Sequence, residues 1–92
     1  GSIKSTILPH DEIYIFALEY LSTYYPEYLK ERYQLSINLE DENWIEQSFE
    51  HIAKLRHFPK VRGEIDYDRV MDLVFNDILK GQIGKVSWQR YE

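Results

Sequence analysis

No cysteine occurs anywhere in these 92 residues, and that absence decides most of what the chain can be. A domain this small buries only about 60–65% of its unfolded surface. Disulfides or a thiolate metal site are the usual staples at that size. Neither can form here, so packing alone must hold the fold. The sequence supplies the means: 15% of it is aromatic, as eight Tyr, four Phe and two Trp, and such rings bring large buried areas. With 43% hydrophobic and 29% charged residues, the composition is that of one globular domain rather than a disordered tract. No uncharged apolar run approaches a membrane span. Gly1-Ser2 reads as a cloning scar, which leaves 3–92 as a single domain. An intracellular, cytoplasmic setting is expected.

The apolar residues recur at helical steps. Ile13, Phe16, Ala17, Tyr20, Leu21 and Tyr24 form a stripe that predicts a helix over 10–24. Asp11 and Glu12 fall in its first turn, at the positive end of the dipole. Ile15 and Leu18 widen the apolar surface and make this helix central. Pro26 breaks it and suits the first position of a second helix over 26–33. Leu35, Ile37 and Leu39 alternate, yet no other segment offers a strand partner, so an extended loop plugging the core is expected. Asp41, Glu42 and Asn43 precede a third helix over 42–56, with Ile45, Ser48, Phe49, Ile52 and Arg56 on one face. Pro59 ends it, and Gly63 pivots the following loop. Asp66 is placed to cap a fourth helix over 67–80, whose inner face is Val70, Val74 and Ile78 and whose end is marked by Gly81. Gln82 to Trp88 reads as a docked tail. The expected class is all-α: a small bundle of four or five helices with a short docked C-terminal tail.

Charge is distributed in blocks. The chain carries −5 overall, which argues against a generic nucleic-acid coat. Yet Lys54, Arg56, Lys60 and Arg62 fall within ten residues that hold no acid, while 1–53 and 64–79 are strongly acidic. That block is either a local phosphate-facing patch or a solvated loop. Catalytic patterns are missing: there is no phosphate-loop motif and no dinucleotide fingerprint. His10, His51 and His57 are too widely spaced for a zinc pair. Asp66, Asp68 and Asp72 lack the glycine and distal Glu of a calcium loop. No metal, no bound cofactor and no catalytic role are expected for this chain. The tyrosines Tyr20, Tyr24, Tyr25, Tyr28 and Tyr33 fit a core with hydroxyls at its rim better than a base-stacking platform.

Two stretches, taken together, carry a resemblance. One is Phe16-Ala17-Leu18 through Leu21, Tyr25-Pro26 and Leu29-Lys30-Glu31-Arg32-Tyr33; the other is Gly63-Glu64-Ile65-Asp66-Tyr67-Asp68 with the following helix, Gly81 and Ile83-Gly84-Lys85-Val86. In this order and spacing, from about Ile7 to Gln89, the chain resembles the C-terminal domain of the circularly permuted ribosome-assembly GTPases of the YlqF/RbgA type. That resemblance implies an all-helical, ANTAR-like domain that follows a GTPase domain absent from this chain, where GTP and magnesium would bind. It also implies a role in late assembly of the large ribosomal subunit and contact with ribosomal RNA.

The same resemblance implies an RNA-facing loop made of Lys54, Arg56, Lys60 and Arg62. His57 and Phe58 lie within it, where a ring could stack on an unpaired base. Lys85 stands where the family commonly has Arg after glycine, and keeps the charge without the planar fork. Where the family has glycine after a basic pair, this chain has Leu55-Arg56-His57; where it often has Gly-Gly, this chain has Arg62-Gly63. The acidic faces offer an alternative role, docking a ribosomal protein or the chain's own GTPase domain. No membrane partner is expected.

Overall fold

The computed structural model describes residues 9–88, with side chains from Asp11 onward. Gly1-Ser2, expected to be a cloning scar, the lead-in, the side chain of His10 and the Arg90 and Glu92 end of the tail lie outside the described residues. Four α-helices follow one another: α1 (Pro9–Tyr24), α2 (Pro26–Tyr33), α3 (Trp44–Leu55) and α4 (Tyr67–Leu79). The expected all-α bundle is what forms, with α1 packed on α2 and α4, and α3 on α4. Among the described residues the one β-type pairing is an isolated Val61–Glu64 bridge. Among the described residues no helix is long and apolar enough to cross a membrane.

Local signals set the helix boundaries. Pro26 opens α2, and Gln34 ends it in a left-handed conformation at φ 55°. The α4 cap is as expected: the Arg69 backbone N–H donates to Asp66 Oδ1 at 3.3 Å, and Gly81 adopts φ 73° beyond its end. The start of α3 lies two residues later than the sequence suggests. Asp41 is occupied in a turn of its own, where its Oδ1 accepts from the Asn43 N–H at 2.9 Å, so the helix winds only from Trp44.

The core is centred on a face of α1 different from the expected one. Tyr14, Leu18 and Leu21 are fully buried, with Ala17 and Tyr20 beside them, whereas Ile13 and Tyr24 are exposed. Because α1 is apolar nearly all round, spacing alone could not fix which side turns inward. Tyr14 decides it. Its ring stacks on Phe49 at 4.3 Å and its hydroxyl lies 3.1 Å from Ser48 Oγ, which in turn donates to Ile45 O at 2.7 Å. The buried hydroxyls therefore satisfy one another, and burial pushes the Tyr14 phenol well above its ordinary range. Leu35 plugs the core and Ile37 packs against it, but Leu39 is exposed.

The most demanding group in the interior is Asp77, buried on the inner face of α4 near its C-terminal end. Arg32 grips it with two hydrogen bonds, Nε to Oδ2 and Nη2 to Oδ1, both 3.0 Å. The Tyr33 hydroxyl donates to Oδ2 at 2.6 Å. Burial alone would raise this carboxyl, but the Arg32 and Tyr33 hydrogen bonds outweigh it and hold Asp77 below the usual carboxylate range. Asp77 also anchors the chain beyond α4, because its carbonyl accepts from the Gln82 N–H at 2.8 Å.

Candidate nucleic-acid interface

The basic block sits where α3 ends and the chain turns toward α4. His57 follows the last turn of α3 with φ 59°, a left-handed conformation that glycine ordinarily fills at this position. Phe58 N–H closes the end on Ala53 O at 2.9 Å. The loop then folds into a two-residue hairpin: Val61 N–H donates to Glu64 O at 2.8 Å and Glu64 N–H to Val61 O at 3.0 Å. Its corner residues, Arg62 at φ 55° and Gly63 at φ 78°, are both left-handed, as a type I′ turn requires. Arg62 therefore takes a conformation that suits a second glycine. We expect His57→Gly to stabilise the domain by about 0.5–1 kcal/mol, the left-handed penalty less glycine's added unfolded-state entropy. A raised melting temperature checks this, and an unchanged or lowered one contradicts it.

Within this loop Lys54, His57, Lys60 and Arg62 are exposed. Lys54 and Lys60 line one groove with Phe58, and Glu46, Glu50 and Glu64 share it. Among the described residues, neither Lys54, Lys60 nor Arg62 closes an ion pair. One neighbouring hydroxyl carries a mark of these carboxylates: Tyr67 donates to Glu46 Oε2 at 2.6 Å, and that hydrogen bond, ahead of burial, pushes its phenol up to about 12.

Arg56 is not on this surface with the others. Its guanidinium lies 6.0 Å from the centre of the Tyr33 ring, and its Nε is buried without a hydrogen-bond partner. It helps hold Asp77 in its charged form. The sequence placed Arg56 at once on the apolar face of the third helix and in the basic loop; the helical register puts it inward. The other departure is Lys85, which lies in the tail beside Tyr28, on the opposite side of the chain order from the loop. In its place the fold brings a cation the sequence gave no reason to choose. Arg69, in the acidic run after Gly63, lays its guanidinium 4.4 Å over the Phe58 ring, and Phe58 in turn lines the groove that holds Lys54 and Lys60. The spacing of 58 and 69 across a loop carries no periodic signal, so only the fold reveals the pair.

The tyrosines do a different job, one that holds the tail. The Tyr28 hydroxyl donates to Lys85 O at 2.9 Å, Tyr20 donates to Ser87 O, and Ser87 N–H donates to the Tyr25 hydroxyl at 3.0 Å. Tyr25 and Tyr28 stack at 5.0 Å, and Trp88 packs on Tyr20 at 4.7 Å. For Tyr20, Tyr25 and Tyr28 this is the rim-hydroxyl arrangement expected, and it docks the tail as expected; Tyr33 instead buries its hydroxyl against Asp77, and Tyr24 is exposed rather than part of the core. His51 serves the helix ends as well, with Nε2 2.9 Å from the Tyr33 carbonyl.

No protein-family model matches the chain. Among curated proteins it is 37% identical over 92 residues to ribosome biogenesis GTPase A of Bacillus cereus, covering 100% of this chain and 30% of that protein. It is 38% identical over 88 residues to the Priestia megaterium protein of the same name, covering 96% of this chain and 30% of the relative. With the Bacillus licheniformis protein the identity is 33% over 92 residues, again 100% of this chain and 31% of the relative. The chain thus spans about 30% of the length of these relatives, a share consistent with the C-terminal domain that its motifs resemble. Over its whole length, then, this chain belongs to the ribosome biogenesis GTPase A family as one domain-sized part of it.

Proposed function

We propose that this domain binds ribosomal RNA of the large subunit through the α3–α4 connection, and so positions the GTPase domain of its parent protein on an assembling subunit. The observation that carries the reading is the exposed set Lys54, Lys60 and Arg62, with His57 among them, running from the end of α3 to the corner of the Val61–Glu64 hairpin, and the Arg69 guanidinium on Phe58. Lysine and arginine there meet phosphates, while the Arg69 guanidinium and His57 ring offer planar faces to an unpaired base. GTP and magnesium belong to the parent's other part, and the chemistry with them; a cytoplasmic setting follows from ribosome assembly. The relatives' name, ribosome biogenesis GTPase A, supports this assignment of process.

A second reading has its own support: Glu46, Glu50 and Glu64 beside the lysines give a mixed-charge surface that suits a ribosomal protein or the GTPase domain itself. The test is binding of large-subunit RNA by the wild type and by a Lys54→Glu/Lys60→Glu/Arg62→Glu variant, with folding checked by circular dichroism. Loss of three phosphate contacts is expected to weaken binding about 10- to 100-fold at moderate salt. Equal binding by both proteins, or association that persists unchanged after nuclease, overturns the RNA reading in favour of the second.

A further inference from the structure

On the side of the molecule formed by α1 and α4, an apolar groove of about 460 Å³ opens between Ile13, Phe16, Phe75, Ile78, Leu79 and Trp88. It is a different surface from the cationic loop. Leu79 is 83% exposed and Ile13 57%, unusual values for aliphatic side chains that sit together in a folded domain. The inward turn of Tyr14 explains how this came about: by filling the core from one side of α1, it leaves the Ile13 and Phe16 side facing out. The tail adds to the groove, since Trp88 packs against Phe16 at 6.0 Å and forms its end wall.

We infer that this groove seats an apolar segment of the preceding part of the same polypeptide, with basic residues flanking that segment. Two observations choose this occupant. First, the relatives are about three times as long as this chain, which covers 30% of them, and a domain at their C-terminal end is joined to the rest through the start of α1. Ile13 is four residues beyond the first residue of that helix, so the groove lies close to the tether and meets the rest of the protein at high effective concentration. Second, the flanks are acidic. Glu12 and Glu19 lie one helical turn from Phe16, and Asp72 one turn from Phe75; all three are exposed, with Lys80 following Leu79 at the end of α4. An apolar centre within an acidic margin favours a ligand with aliphatic residues between Lys or Arg. The inference rests on the family membership and is independent of RNA binding.

The test uses the complete polypeptide. A photo-crosslinking benzophenone amino acid replaces Leu79, whose exposure makes it neutral to the fold. The expected result is an intramolecular crosslink from Leu79 to a residue in the part of the protein that precedes this domain, at monomer mass. An Ile13→Asp change in the same protein is expected to lower that crosslink about tenfold by charging the groove, while RNA binding stays as it was. Crosslinks at dimer mass, crosslinks that go only to other proteins or RNA, or a yield unmoved by Ile13→Asp each overturn the inference.

Discussion

Asp77→Ala is expected to cost about 2–4 kcal/mol of folding stability, because it leaves the buried Tyr33 hydroxyl without an acceptor and Arg32 without its partner. The figure lies below that for a fully buried pair because the Arg32 side chain is 30% exposed and can turn to water. In a domain of this size such a loss lowers the melting temperature by roughly 10–25 °C. Asp77→Asn keeps an oxygen for Tyr33 and is expected to cost about half as much. The pH dependence has a definite sign. Asp77 is held below the ordinary carboxylate range when folded, so the unfolded chain takes up the proton more readily. The pair's contribution is complete above about pH 4, where the unfolded carboxyl is ionised, and disappears as pH falls through the folded value. Urea midpoints should therefore separate wild type from Asp77→Asn at pH 7 and converge as pH falls below the ordinary carboxylate range. A gap that is constant with pH would show that the Arg32–Asp77 pair contributes no linked stability.

The second large effect falls on the tail. Gly84 holds φ 133°, and a Cβ there would stand 2.7 Å from Tyr28 Cε2 and 2.8 Å from Cδ2 and Cζ. The ring cannot retreat easily, since Tyr25 stacks on it and its hydroxyl is tied to the Lys85 carbonyl. Gly84→Ala is expected to cost about 2–4 kcal/mol, from the left-handed backbone together with the overpacked ring. Undocking of the tail relieves the clash but gives up the burial of Ile83, which is 4% exposed and by itself contributes about 1.5–3 kcal/mol. Tryptophan fluorescence separates the two routes. Trp44 is buried at 7% exposure and Trp88 half-covered at 36%, so an undocked tail shifts only the Trp88 component to the red. A Gly84→Ala protein with wild-type stability and an unshifted spectrum would contradict the close approach of Gly84 to Tyr28.

Much of this architecture is legible in the residues, and the exceptions have physical causes. Prolines and caps are local, so Pro26, Asp66 and Gly81 mark their helix ends correctly. The inner face of α1 is not local: a helix apolar on several sides is oriented by its partners, here Phe49 and Ser48 against Tyr14. Asp77 could have been suspected, because it lies seven residues after Val70 and three after Val74, on the apolar stripe itself. Its partners Arg32 and Tyr33 are 45 and 44 residues away and could not. The basic block is visible as a run, but a run does not say which side chains share a surface. Arg56 turns toward Tyr33, Lys85 stands apart in the tail, and Arg69 arrives from an acidic segment.

The central claim is that a small cationic surface at the α3–α4 connection meets RNA phosphates. The salt dependence of binding tests it most directly. Plotted as log affinity against log salt concentration for large-subunit RNA, the wild-type slope should exceed that of Lys54→Glu/Lys60→Glu/Arg62→Glu by about 2–3, the counterions released by three lost phosphate contacts. Two parallel lines, with the variant as steep as the wild type, would mean that this loop touches no phosphate, and would contradict the account.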